Sequence, residues 1–332
     1  MAPTPDTPRS PIFVSGRQHS GNTVTALLLG QIPGVYSQVA ESVVLEQHHL
    51  LDRDRDPASR ARRLTRLIDL EAPAHREWLA EYILSAVRDA PDTPTLQLYL
   101  DAMNAVSTHM GCHRWAQKGT SYIFYAKEIL ERIPDSRLLY MLRNPWDLAA
   151  SERRRNHRVE VILSTMMGWS RGSRIAEQCS TAYPDRFRVL RYEDLAGRPA
   201  ETVKSLCDWI GEPYDDALLD IPHVNPAENK YSLESKTRGL NTSRIFQYPD
   251  RLMPYEIAAM DLLVERYGLG DAMARWYPEL PHTIGKASAR NMKQARKSLR
   301  IAPIRYGWFY LTRIKRSPTY LIARTWRRLR GE

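Results

Sequence analysis

PIFVSGRQHSGNTVTALLLG, residues 11–30, joins a short apolar run to a polar loop with two glycines and then to a helical stretch. The loop Gly16-Arg17-Gln18-His19-Ser20-Gly21-Asn22-Thr23 fits the phosphate-loop spacing G-x-x-x-x-G-x-T. Glycine lets a backbone wrap closely around an anion, and the N–H groups and dipole at the start of the following helix favour negative charge. The hydroxyls of Ser15, Ser20 and Thr23 are further candidate donors. A nucleoside-triphosphate loop needs lysine in place of Asn22, to neutralise a β/γ-phosphate pair beside magnesium. The stretch therefore predicts a strand, an anion-binding turn and a helix, but argues against ATP or GTP.

Working outward, apolar spacing of three and four predicts helices over 64–90, 96–110, 121–133, 160–182 and 254–268. HRWAQK is a short strand, RLLYML (137–142) a buried one by its unbroken apolar run, and RFRVLRY (186–192) another. Strands alternating with helices through short turns predict an α/β fold, a central parallel sheet flanked by helices on both faces. In such sheets the ligand lies beyond the carboxyl ends of the strands. Three polar segments fall there: the Gly16 loop, Arg143 with the turn Asn144-Pro145, and Arg191-Tyr192-Glu193-Asp194. Arg143 at a strand end and Ser151 in the first turns of the next helix are spaced to grip one phosphate, the arginine with its fork of donors.

Taken in order, GRQHSGNT, RNPWDLAAS, RYEDL and LCDWIG resemble the motifs of sulfotransferases that use 3′-phosphoadenosine 5′-phosphosulfate (PAPS). That family carries a loop resembling G-x-P-R-S-G-T-T, then R-D-P-R-D-x-x-x-S, then R-Y-E-D-L. The segment AQKGTSYIFYAKEILERIPDSRLLYMLRNP looks like its E-K-T-P region, and the resemblance spans about residues 11–280. It implies a P-loop-like sulfotransferase architecture and transfer of a sulfuryl group without a metal. The loop, Gly16 to Thr23, would hold the phosphosulfate, and Arg143 with Ser151 the 3′-phosphate. Lys118 would stabilise charge on the transferring oxygens, and Tyr192 would lie near the nucleotide. In YSLESKTRGLNTSRIF the candidate cofactor contacts are Lys236, Arg238, Ser243 and Arg244.

The departures are local. His19 replaces the family's loop arginine and Gln18 its proline, so either His19 or Arg17 supplies the loop's cation. Asn22 replaces the first threonine and is expected to keep a donor. The family's base, a glutamate about twenty residues beyond the loop, falls on Glu41, with Glu46, His48 and His49 as rivals. Competing readings are a phosphate-loop kinase or NTPase, and a catalytically degenerate, membrane-associated adaptor. The motifs do not identify the acceptor; a chain with no evident targeting segment and no disulfide framework is expected to act on a carbohydrate or glycolipid.

The 332-residue chain carries 43% hydrophobic and 26% charged residues, ordinary for a globular protein. Cys112, Cys179 and Cys207 are widely spaced and form no metal motif, which suggests a reducing compartment. No signal segment or long apolar run is evident, so the expected location is cytoplasmic, with peripheral attachment to the membrane's inner face as an option. The net charge of +10 belongs to one end: residues 286–332 hold fourteen Lys and Arg against one acid. The expected organisation is a flexible segment 1–10, a catalytic domain 11–280 and a basic aromatic tail 281–332. Cations interleaved with Trp308, Phe309, Tyr310, Tyr320 and Trp326 suit an anionic membrane; packing on the body is the second option and nucleic acid the least favoured.

Overall fold

A computed structural model describes residues 10–70, 72–153, 160–221, 239–240, 244–280 and 287–314. Its centre is a five-stranded, wholly parallel sheet in the order β2-β3-β1-β4-β5. The first unit is β1 (Ile12–Gly16), α1 (Asn22–Gln31) and β2 (Val35–Glu41). Four helices follow, α2 (Val44–Leu51), α3 (Pro57–Ile68), α4 (Pro73–Asp89) and α5 (Thr95–His109), leading to β3 (Arg114–Lys118). A 3₁₀ turn at Tyr122–Tyr125 and α6 (Ala126–Arg132) cross to β4 (Arg137–Leu142), which α7 (Pro145–Arg153) and α8 (Glu160–Ala182) join to β5 (Phe187–Arg191). Then come α9 (Tyr192–Gly197), α10 (Pro199–Ile210), α11 (Tyr248–Arg251), α12 (Pro254–Arg266), α13 (Gly270–Trp276) and α14 (Ala289–Ile314).

β1 lies between β3 and β4, with Val14 opposite both Lys118 and Leu139. Every residue of β1 is buried and β4 is nearly so, which is why both read as unbroken apolar runs. Alternate side chains feed opposite layers. Ile12, Val14, Leu139 and Met141 pack with residues of α1 and α10. Phe13 meets Trp115 and Tyr122 edge-on, at 5.4 and 5.6 Å, in the larger layer built from α2 to α6, α8 and α12. The chain runs from β1 out to β2, returns to β3, and then crosses past β1 to β4, so the direction of winding reverses about β1. The gap at its carboxyl end is the sheet's switch point.

Three sequence expectations change. β2 is not among the strands the apolar pattern predicts; it pairs with β3 at the edge of the sheet. Only Val35 and Gln38 along it are buried, so VYSQVAE shows neither alternation nor an apolar run. Helix α3 starts at Pro57, earlier than expected, within the charge-rich span. Asp56 caps it, accepting N–H bonds from Ala58 and Ser59 at 3.1 Å each, and Ala61, Leu64 and Ile68 form its inner face. The basic segment after 286 is not wholly apart from the body: α14 packs on α8 and α12, with Ala295 and Ala302 fully buried.

Two buried polar clusters hold the sheet in place. Gln117 on β3 accepts the hydroxyls of Tyr99 (α5) and of Tyr122 at 2.6 Å, and donates to Gln38 of β2 at 2.5 Å. Burial pushes the pKa of both tyrosines up, so they remain protonated donors. At the other end of the sheet Arg114 of β3 pairs with Glu212, just after α10, at 2.8 Å, both side chains nearly dry. Glu212→Ala strands that guanidinium and should cost about 3–5 kcal/mol. Urea unfolding checks this, and a loss below about 1 kcal/mol would mean that water replaces the carboxylate.

Candidate functional site at the carboxyl ends of the sheet

The loop after β1 closes on itself. Ser20 N–H bonds to the Arg17 carbonyl at 3.1 Å, and His19 and Gly21 take left-handed conformations, φ 69° and 97°. Gly21 caps α1 without any side-chain bond to its first N–H groups, leaving that end of the helix suited to an anion. Glycine is required twice. A Cβ on Gly16 would sit 2.6 Å from the Met141 carbonyl, and one on Gly21 2.9 Å from the Tyr192 ring. Gln18 is exposed, Ser20 is buried and Thr23 is half-buried in the first turn of α1.

Two of the residues named as donors face inward. The Asn22 amide bonds to the carbonyls of Gly16 at 2.7 Å and Arg17 at 3.1 Å, which uses both its hydrogens to hold the loop's shape. Its backbone N–H is what remains for an anion. The Ser15 hydroxyl is fully buried and accepts the Ile123 N–H at 2.8 Å, bracing the turn after β3.

Arg143, 4% exposed at the end of β4, stands over the loop. Its guanidinium donates to the carbonyls of His19 at 2.8 Å and Arg244 at 2.6 Å, and to the Ser151 hydroxyl at 3.4 Å. It lies 4.4 Å over the Tyr192 ring, and its Nε is buried with no partner among the described residues. A buried guanidinium that keeps a donor open while another of its nitrogens bonds to Ser151 is the kind of group a bound phosphate would satisfy. The structure thus brings together Arg143, Ser151, Tyr192, the loop and Arg244. Lys236, Arg238 and Ser243 lie outside the described residues.

The frame behind Arg143 is acidic: Glu193 belongs to a polar strand-end segment legible in the sequence, whereas Asp147 was not singled out there. Asp147 accepts N–H bonds from Phe246 at 2.7 Å and Tyr248 at 2.9 Å, and a bond from the Asn144 amide at 2.9 Å. Glu193 accepts both the backbone and side-chain N–H of Asn144, at 3.0 and 3.1 Å, and the Tyr277 hydroxyl at 3.2 Å. Burial holds its carboxyl above the usual range. Trp169 of α8 closes the back of this frame, donating to the Arg143 carbonyl at 3.0 Å. The available signal was positional: Asp147 is one helical turn past Arg143.

On the other flank Lys118 ends β3 opposite Glu41, at an irregularity in the β2–β3 register. Lys118 is 3% exposed; desolvation lowers its pKa and the nearby Glu41 charge partly restores it. Glu41 is exposed, and its Oε1 accepts the Thr120 N–H at 2.9 Å and the Thr120 hydroxyl. Of its rivals, Glu46 and His48 are buried, His48 lying 3.1 Å from Glu128, and His49 is half-buried. Among the four, Glu41 is the accessible carboxylate at the strand ends.

The two candidate loop cations point apart. His19 reaches α7, where its Nε2 lies 3.0 Å from Glu152. Arg17 crosses to α8, where a Cβ on Gly168 would come within 1.7 Å of its guanidinium. Gly172, one turn along, makes room for the Tyr140 hydroxyl in the same way. No group of three metal-ligating side chains is found among the described residues.

Residues 11–216 match the sequence profile of the sulfotransferase family, and the chain belongs to that family. The sulfotransferase domain of the olefin synthase of Synechococcus PCC 7002 superposes with a TM-score of 0.56 at 20% identity, covering 82% of this chain and 98% of that domain. The sulfotransferase domain from the curacin biosynthetic pathway gives 0.52 at 17% identity, covering 79% and 99%. At the sequence level an uncharacterised protein of Aquifex aeolicus is 21% identical over 270 residues, 78% of this chain. The chain spans about a third of that relative's length, 33%. Family membership sets aside the kinase reading, which lacks its lysine at Asn22.

Gly168→Ala should displace the Arg17 guanidinium, the mobile end of a long side chain. Stability should change by less than about 1 kcal/mol, whereas transfer activity should fall about tenfold. Thermal unfolding and a sulfuryl-transfer assay of the same sample check this. Full activity would show that Arg17's position against α8 is irrelevant to the site.

Proposed function

We propose that this sulfotransferase uses PAPS as donor and carries the sulfuryl group to a hydroxyl of a carbohydrate or glycolipid. The observation that supports this best is the pairing of an α1 terminus free of side-chain caps with a buried Arg143 that bonds to Ser151 and whose Nε has no partner among the described residues. These are two anion sites, one for the 5′ end and one for the 3′-phosphate of a bisphosphorylated nucleotide. The donor supplies a sulfuryl group on a good leaving group. The terminal sulfate carries less charge than a γ-phosphate, which accounts for a loop without lysine or magnesium.

In the proposed step an acceptor oxygen attacks sulfur in line. A new S–O bond forms, the bond to the 5′-phosphate oxygen breaks, and the acceptor proton passes to Glu41. Thr120 orients the Glu41 carboxylate. Lys118 and the loop N–H groups balance charge on the transferring and departing oxygens. Positioning and electrostatics carry most of the rate, as in phosphoryl transfer. In the same reading the basic C-terminal segment keeps a cytoplasmic enzyme at the inner face of an anionic membrane, within reach of glycolipid head groups.

Calorimetric titration with adenosine 3′,5′-bisphosphate, and with ATP with and without magnesium, tests the donor. The bisphosphate should bind without metal and more tightly than ATP. Arg143→Ala should weaken it about tenfold to a hundredfold, and Ser151→Ala by less. Preference for magnesium–ATP would overturn the reading, and binding of neither would indicate a degenerate adaptor.

Glu41→Gln should lower kcat on the order of 10²–10⁴-fold with bisphosphate affinity unchanged; an unchanged rate would remove Glu41 from the role. The same variant has a pH signature. Lys118 must be protonated to act, so activity is lost as pH rises through its pKa. Removing the Glu41 charge lowers that pKa further, so the residual activity should fail at lower pH than in the native enzyme.

A further inference from the structure

Helix α14 turns an unusual face outward. Its 26 residues contain no Asp or Glu. Ala295 and Ala302, seven residues apart, are fully buried against the body, with Leu299 packed beside them. The opposite stripe therefore runs through Arg290, Lys293, Lys297, Arg300 and Ile304 at three- and four-residue spacing. Arg290, Lys293, Arg296, Lys297, Arg300 and Arg305 are all exposed, and none forms an ion pair among the described residues. Beyond Arg300 the stripe changes character. Ile304 is 75% exposed and Ile301 38%.

We infer that the outward stripe of α14 is a docking surface for an anionic lipid bilayer. Its cationic first half lies on the head groups, and its apolar continuation from Ile301 and Ile304 enters the head-group boundary. The inference rests on the membrane part of the reading above and is independent of the transfer chemistry.

Charge complementarity is the first argument. Four cations on the outward stripe, flanked by Arg296 and Arg305 and without ion pairs among the described residues, attract an anionic surface, and nothing on the helix opposes them. The second is the pair of exposed isoleucines at the end of the stripe. A helix lying in the interface joins a basic face to apolar residues that insert, whereas a phosphate backbone requires the cations alone. The third is what the helix does not do. No helix among the described residues is long and apolar enough to cross a membrane, so α14 would lie on the surface rather than span it.

The test is co-sedimentation of the full chain with vesicles of phosphatidylcholine alone and of a phosphatidylcholine–phosphatidylglycerol mixture, over a range of salt. The protein should partition onto the anionic vesicles only, and less as salt rises. Reversing three charges together, Lys293→Glu, Lys297→Glu and Arg300→Glu, should reduce partitioning about a hundredfold or more. Ile304→Asp alone should reduce it about tenfold. All these side chains are exposed, so unfolding midpoints should match the native protein, which separates lost docking from lost folding. Equal binding to neutral vesicles, binding to neither, or native binding by the triple variant would overturn the inference. So would displacement from vesicles by a homopolymeric RNA that binds more tightly. Calorimetric binding of adenosine 3′,5′-bisphosphate by the same variants should be unchanged, so failure of the docking surface and failure of the donor reading are told apart.

Discussion

The site depends on keeping one guanidinium dry and aimed. Arg143 leaves the end of β4 with almost no contact with solvent, and a buried cation is tolerated only where surrounding groups compensate it. Here the compensation is mostly dipolar: two carbonyls, from His19 and Arg244, and the face of Tyr192. Asp147, at 3.8 Å, adds an opposite charge without a direct hydrogen bond. A full ion pair would have used the donors that an anion needs. The arrangement therefore stabilises the charge while leaving Nε without a partner among the described residues.

That constraint reaches outward through three layers of chain. The left-handed turn at His19 aims its carbonyl at Arg143, so the loop's strain and the arginine's placement are one feature. Asp147 ties the returning segment at Phe246 and Tyr248 to the first turn of α7. Glu193 ties the start of α9 to Asn144. Four separated stretches, after β1, β4 and β5 and around residue 244, thus share one hydrogen-bonded frame. Their order in the sequence is the order of the family's motifs, because each motif supplies one side of that frame.

The phosphate loop lacks its lysine, and the structure gives position 22 other work. Asn22 spends its amide on the loop's own carbonyls, which fixes the curvature that a bound anion would otherwise have to impose. Positive charge comes instead from neighbouring strand ends: Arg143 on β4 and Lys118 on β3, the latter moderated by Glu41 across the β2–β3 register. Charge is thereby distributed around the loop rather than placed inside it. That suits a ligand with two separated anionic groups.

The sequence alone determined the strands β1, β3, β4 and β5, the glycine-bearing turn between β1 and α1 and the nearness of Arg143 to Ser151. These rest on local causes: apolar runs buried on both faces, glycines at forced conformations, and spacing along one helix. It did not reveal β2, since an edge strand with two buried side chains leaves no periodic trace. Nor did it show that Asn22 and Ser15 face inward, that Glu41 is the accessible carboxylate among its rivals, or that Arg17 and His19 diverge. Those outcomes depend on which distant backbone comes to lie beside each residue: Met141 and Tyr192 at the loop, Thr120 at Glu41, Gly168 at Arg17. The basic end of the chain divides the same way. Its charge was legible by counting, but which cations face solvent was decided by the burial of Ala295 and Ala302, a choice only tertiary packing makes.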